Sequence, residues 1–296
     1  VYNNCRSTAG PGGGVAGDFG GAASSATIIT GGGLGVLEPE TSKASVLGII
    51  FTPPESNLSL AIDYYEIEIN NEVTTLGAGA ILSACYTSDN FPTDPICNQF
   101  DRPSGTSGIT TVRDSYLNVA EQTNRGIDFT VRYAHDTPWG ELILDSQTTW
   151  TLENRTSLFD SAPTDPLGRI GYPELVGNIN ASFQRGPWTA FWGFDWIGNQ
   201  SSQLDYFQDN GSLNLTIDGR VTQVKAEAEF TGFHSVSLSY DFDTWKVSAG
   251  VANLFDELPP AASSNVTSVQ GNSVFGSQYT EGFYGRRAFL RVSTSF

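Results

Sequence analysis

The sequence has no methionine, two histidines, three cysteines and few charges, 16% of residues, with no apolar run of helical membrane length. A helix that crosses a bilayer needs roughly 18 or more consecutive apolar residues. The best stretch, Ala44–Phe51, runs straight into Pro53 and Pro54. Helical membrane insertion is excluded. A transmembrane barrel is not, because its strands are short and need an apolar side chain only at every second position. Basic residues are scarce, 15 Lys and Arg against 32 Asp and Glu, for a net charge of −17. That balance argues against nucleic acid or an anionic membrane surface as partner. It fits an acidic soluble protein and an acidic outer face equally. No charged segment followed by an apolar stretch opens the chain, so no signal peptide is visible. With Val1 in place of methionine, the sequence is expected to be a piece of a longer chain.

Catalysis has no footing. His135 and His234, read as a turn residue and a residue near a strand start, lack metal-ligand spacing to a second ligand. Neither Gly12–Gly14 nor Gly31–Gly33 sits between a strand and a helix, as a phosphate loop requires. We expect no catalytic, cofactor or metal site and no enzyme. The cysteines show no zinc spacing and point to an oxidising compartment. Cys85 and Cys97 share one loop-like stretch with Pro, Asp and Asn between them, and a local disulfide is expected there. Cys5 is left over, as a free thiol or with a partner outside the chain.

What is present is alternation. Trp188, Ala190, Trp192, Phe194 and Trp196 fall on one face of an extended segment, with Thr189, Phe191, Gly193, Asp195 and Ile197 on the other. Val236, Leu238 and Tyr240 oppose Ser235, Ser237, Ser239 and Asp241, and Ile127, Phe129, Val131 and Tyr133 oppose Asp128, Thr130 and Arg132. Period two with one apolar face is what a sheet gives when one side meets lipid or a core. Nine strands are predicted, at about 43–52, 57–70, 120–134, 140–153, 173–185, 187–199, 230–241, 244–255 and 282–296. The connections alternate: short at Pro53–Ser56, His135–Trp139, Gly186 and Phe242–Asp243, long at about 71–119, 154–172, 200–229 and 256–281. Short turns at one end and long loops at the other is the layout of outer-membrane barrels. A soluble sandwich mixes loop lengths at both ends. The fold class is therefore all-β, a transmembrane antiparallel β-barrel. Strand parity places residues 1–42 in an extracellular loop segment and 43–296 in the barrel. Single-chain bacterial barrels have even strand numbers, so nine strands call for others upstream or on another chain.

Five segments, in order, resemble the TonB-dependent outer-membrane transporters. Leu37-Glu-Pro-Glu-Thr-Ser-Lys43 looks like that family's Pro-Glu-x-Ser lead into a barrel strand, and Leu60–Ile69, with Asp63-Tyr64-Tyr65, like its Asp-Tyr-Tyr strand. Gly126-Ile-Asp-Phe129 resembles a Gly-x-(Asp/Glu)-Phe strand start. Gly250-Val-Ala-Asn-Leu-Phe-Asp-Glu257 is similar to the penultimate-strand signature, and Gly285–Val292, running on to Phe296, to the closing strand. The resemblance implies the C-terminal strands of a barrel of about 22, plugged by a globular domain absent from this sequence. It implies location in the Gram-negative outer membrane and energised uptake of a scarce nutrient: a metal chelate such as a siderophore, a vitamin, an oligosaccharide or a peptide. The implied partners are the rest of the barrel and the plug, the inner-membrane TonB complex through a TonB box on that plug, outer-membrane lipid and lipopolysaccharide, and the nutrient. A structural or surface-assembly barrel without active transport, or an open porin, are the competing readings.

Within that frame Phe296 resembles the C-terminal signal read by the barrel-assembly machinery. Trp139, Trp188 and Trp245, each just after a short turn, suit an aromatic girdle at the headgroup level. Arg132, Asp145, Gln147, Asn178, Asn180, Asp195, Asp241, Arg287 and Arg291 are expected to face the interior. Asp89, Asp94, Asp101, Asp160, Asp165, Asp205, Asp209, Asp218, Glu227 and Glu229 crowd the predicted outer loops, and no residue is assigned to substrate. Non-reducing peptide mapping should recover the Cys85 and Cys97 peptides as one linked species; free thiols at both positions would remove the crosslink from the scheme. Closing so short a loop contributes about 2–3 kcal/mol by the chain-entropy account.

Overall fold

Alternating side chains produce long strands, and the long strands lie side by side in chain order. The computed structural model describes residues 26–31, 37–103, 108–158, 164–263 and 279–294. Its elements begin with β1 (Thr27–Ile29), β2 (Thr41–Phe51), β3 (Leu58–Thr74), α1 (Ala78–Thr87), a 3-10 turn (Pro95–Gln99), β4 (Phe100–Asp101) and β5 (Thr111–Arg113). There follow β6 (Leu117–Thr137), β7 (Gly140–Leu158), β8 (Leu175–Arg185), β9 (Trp188–Ile197), β10 (Gln200–Ser201) and α2 (Gln203–Asn210). The chain ends with β11 (Asn214–Ile217), β12 (Arg220–Gln223), β13 (Glu227–Ala228), β14 (Thr231–Phe242), β15 (Trp245–Ala252), α3 (Thr280–Tyr284) and β16 (Arg287–Thr294). Nine of the strands form one sheet, ordered β16-β15-β14-β9-β8-β7-β6-β3-β2, so each strand's neighbour is the next long strand in the chain. This is an up-and-down meander, with β2 and β16 as its edges among the described residues.

The register assigns the two faces. Ile179 stands opposite Phe194, which stands opposite His234; one step along, Ala181, Trp192 and Val236 align, then Phe183, Ala190 and Leu238. Between them the other face carries Asn178, Asp195 and Phe233, then Asn180, Gly193 and Ser235. The first face is apolar yet uncovered, with Leu238 48% and Leu290 72% exposed. An apolar sheet face without a core over it is what a barrel wall presents to lipid.

Close strand contact needs glycine where rings lie flat on the sheet. A Cβ on Gly177 would stand 2.6 Å from the Trp196 ring and 2.8 Å from the Gln147 carbonyl. Gly250 lies under Phe289 in the same way, 2.7 Å from Cε1. The turns are tight for a similar reason: Gly186 and Asp243 take φ of 55° and 61° in two-residue hairpin connections, the left-handed geometry that matches strand twist. Trp188 and Trp245 follow these turns and Trp139 lies in the short turn between β6 and β7; all three stand exposed, Trp188 edge-on to Tyr240 at 4.7 Å.

Two of the motif segments are chain-turning devices. Asn253, fully buried at φ 49°, donates from Nδ2 to the Glu257 carbonyl at 2.9 Å and accepts from its N–H at 2.8 Å. Asp256 accepts from the Arg286 N–H at 2.7 Å. Asn118 likewise clamps the Pro-Glu segment, accepting from Glu38 N–H and donating to the carbonyls of Glu38 and Asn71, while Glu40 accepts from Val73 N–H.

Two expectations need correction and a third gains detail. The long connection predicted at about 71–119 runs from the end of β3 to the start of β6 and is itself folded, with α1, the 3-10 turn, β4 and β5 around a core of Ile81, Cys85, Tyr86, Phe100, Ile109 and Val112. Those apolar residues follow no single period, so alternation did not reveal them. The closing strand begins at Arg287 rather than at 282, because Gly282 lies in α3 and Gly285, at φ 67°, turns the chain between helix and strand. His135 lies within β6, stacked on Tyr133, and not on a turn.

The face assignment makes a stability prediction. Trp192→Arg places a charge on the apolar face and should cost roughly 2–4 kcal/mol in lipid at mid-bilayer depth. Asp195→Asn, on the opposite face, should leave stability nearly unchanged. Folding titrations in lipid that found the two equally harmful would reverse the faces.

Candidate functional site

The chain divides into two compact units, one of residues 1–43, 68–122 and 156–163, the other of 44–67, 123–155 and 164–296. Each carries side chains suited to recognition.

In the first unit α1 and the 3-10 turn are tied by a disulfide between Cys85 and Cys97, whose Cα atoms are 4.9 Å apart. The 3-10 turn has a built start. Asp94 accepts from the Ile96 N–H at 3.0 Å and from the Ser88 hydroxyl at 2.6 Å. These two bonds, Ser88 first, hold the Asp94 carboxyl below the ordinary carboxylate range. Arg102 donates to the Tyr86 hydroxyl at 2.7 Å. β5 pairs parallel with β1 and antiparallel with β4. Arg113 on β5 forms an ion pair with Asp101 on β4 and donates to the Asn98 carbonyl. Asp114, only 6% exposed, accepts from the Gly77 N–H at 3.1 Å. These elements enclose a cavity of about 530 Å³ lined by Leu76, Ile81, Ala84, Ile96 and Leu117 with Asp94, Arg113 and Asp114.

In the second unit the polar sheet face offers a shallower recess of about 340 Å³, lined by Gln147, Thr149, Asn178, Asp195, Phe233 and Glu281. Glu281 is paired with Arg287, and Asn180 donates to Asn178 and, at 3.4 Å, to Asp145. Ile197, Phe233 and Tyr279 pack together at one end of this unit's sheet. The Gln200 amide donates to the Tyr279 hydroxyl at 2.6 Å. Burial pushes that hydroxyl up from its ordinary value, against the smaller downward pull of the hydrogen bond. A further folded insertion, α2 with the β11–β12 hairpin, closes over Tyr206, Val224 and Ala226, and Arg169 meets Asp205 at 2.9 Å.

The acidic residues singled out in the sequence do not converge. Asp101 and Asp205 are in ion pairs and Asp94 caps a turn. Among the described residues no group of three or more His, Cys, Asp or Glu side chains is placed to hold a metal. Cys85 and Cys97 are brought together, whereas Cys5, Asp160 and Phe296 lie outside the described residues. Sequence reasoning missed Asp114, Asn118 and Asn253. The last had a usable signal, since asparagine tolerates positive φ and bonds its own backbone at turns; for buried Asp114 the sequence carries none.

Comparison with known proteins agrees with this architecture. The family described as TonB dependent receptor-like, beta-barrel, matches residues 8–254. No curated protein matches the chain. Among solved structures, a double mutant of the ferric enterobactin receptor PfeA from Pseudomonas aeruginosa superposes with a TM-score of 0.55 at 15% identity, covering 98% of this chain and 34% of that one. The siderophore receptor PirA from Acinetobacter baumannii gives 0.52 at 14%, covering 88% and 32%. The FrpB iron transporter from Neisseria meningitidis gives 0.51 at 12%, covering 90% and 32%. The chain thus spans about a third of the length of the receptors it resembles. With a nine-stranded meander, one apolar and one polar face, and a family match over most of its length, the chain belongs to the TonB-dependent receptor-like β-barrel family.

Proposed function

We propose that the chain supplies nine wall strands and the outward-facing insertions of an outer-membrane receptor that imports a scarce nutrient with energy from the TonB complex. The observation that carries this reading is the alternation of connections. Residues 52–57, 138–139, 186–187 and 243–244 join neighbouring sheet strands by short turns. Residues 75–116, 159–174, 198–230 and 253–286 join the others, and among the described residues these hold the helices, the β11–β12 hairpin and the short pairs β4–β5 and β10–β13. A receptor needs recognition surface on the outer side alone, and barrels of this kind place their long connections there. The Cys85–Cys97 crosslink then lies outside the cell, in an oxidising setting. The chain contributes no chemical step; its part is binding, selection and passage. Among nutrient classes a metal chelate draws support from the solved relatives, whose names record ferric enterobactin, siderophores and iron. Partners in this reading are the plug, the rest of the barrel, outer-membrane lipid with lipopolysaccharide, and the TonB complex reached through the plug.

Cells carrying the complete receptor should accumulate one of three labelled probes, a ferric catecholate siderophore, cobalamin or a maltodextrin, and lose that uptake when the receptor gene or the TonB complex is deleted. Uptake that persists without TonB, or steady ion conductance of the purified receptor in planar bilayers, would replace this reading with a porin. Phe296 is proposed as the assembly signal. Its deletion should lower the amount of heat-modifiable barrel in the outer membrane several-fold, and unchanged levels would remove that role.

A further inference from the structure

The cavity of the disulfide-tied unit has a chemistry that its architecture does not require. Its walls are mostly apolar, Leu76, Ile81, Ala84, Ile96 and Leu117 among them, with Gln99 and Ser115 as the uncharged polar members. At about 530 Å³ it falls in the size range of small-molecule sites, a few hundred to about 1,000 Å³. Three charged side chains reach the lining, and two are already satisfied. Asp94 is held by Ser88 and Ile96, and Arg113 by Asp101 and the Asn98 carbonyl. The third, Asp114, is 6% exposed, and among the described residues its one hydrogen-bond donor is the Gly77 N–H. An ionised carboxylate has about four acceptor positions, and a buried charge is stable only when paired. The residual charge at the cavity is therefore negative, and the unmet capacity is for donors.

We propose that this cavity binds the apolar body of a small organic amine, with Asp114 accepting from the ammonium group. An ammonium supplies up to three donors and a compensating charge, and the apolar body gains from leaving water for the Leu76, Ile81, Ala84, Ile96 and Leu117 wall. A carboxylate-bearing ligand of the same shape meets repulsion from Asp114 and Asp94 instead. The site is preorganised, because Ala84 and Ile81 on α1 and Ile96 on the 3-10 turn belong to elements joined by the Cys85–Cys97 bond, and a rigid site loses less entropy on binding. The inference rests on the reading of this unit as outward-facing in a receptor.

The test uses the complete receptor in lipid nanodiscs and three matched probes, 2-phenylethylamine, 2-phenylethanol and phenylacetate, titrated by saturation-transfer NMR. The amine should bind about tenfold or more tightly than phenylacetate, the scale of one charge-assisted hydrogen bond. Asp114→Asn keeps an acceptor for Gly77 and should bring the amine and the alcohol to equal affinity. Ala84→Phe fills the cavity from a half-buried position and should abolish binding of all three, with the Cys85–Cys97 linkage still recovered by non-reducing mapping as the check that the unit has folded. Equal affinities in the unmodified receptor, an amine preference that survives Asp114→Asn, or binding unaffected by Ala84→Phe would each overturn the proposal. The failures of the two readings separate cleanly. Amine binding without TonB-dependent uptake of any labelled probe removes the transport reading and keeps the site, while such uptake without amine binding removes the site and keeps transport.

Discussion

Hydrocarbon offers no partner to a backbone N–H or C=O, and this one constraint organises the chain. A strand that crosses the outer membrane must have each polar backbone group paired with the strand beside it. Pairing to the next strand in the chain is the cheapest way to meet that demand, since the loop to be closed is short. The nine-stranded meander is the result, with neighbours in the sheet following neighbours in the sequence. Once every backbone group points along the sheet, side chains are left to point in two directions only, and the apolar and polar faces follow.

The two faces then set different tasks. On the apolar face, rings occupy the surface and demand glycine beneath them, as Trp196 does at Gly177. On the polar face, Gln147, Asn178 and Asp195 line a shallow recess that Glu281 of α3 borders, its carboxylate paired with Arg287. Several polar residues at the strand ends act mechanically. Asn253 and Asp256 shape the exit from β15, Asn118 and Glu40 fasten the entry to β2, and both devices work by giving otherwise unpaired backbone groups a side-chain partner. The chemistry that distinguishes this chain from a plain barrel wall lies in its insertions, which carry their own cores and, in one case, a crosslink.

Period-two alternation, tight turns and the contrast between short and long connections are written locally, one residue after the next, and from them the sequence by itself determined the nine strands, their order of appearance and the face each side chain takes. Trp192 and Asp195 are opposed by parity alone. Local spacing also put Cys85 and Cys97 in one segment. Other features depend on residues far apart in the chain meeting in space. The core of the insertion joins Ile81 to Val112 and the parallel pair joins Thr27 to Thr111. The buried state of Asp114 and the cavity beside it exist only once α1, the 3-10 turn and β5 have packed. No period announces such contacts, because burial in an irregular insertion is decided by which surfaces exclude water together, and that is a property of the folded tertiary structure.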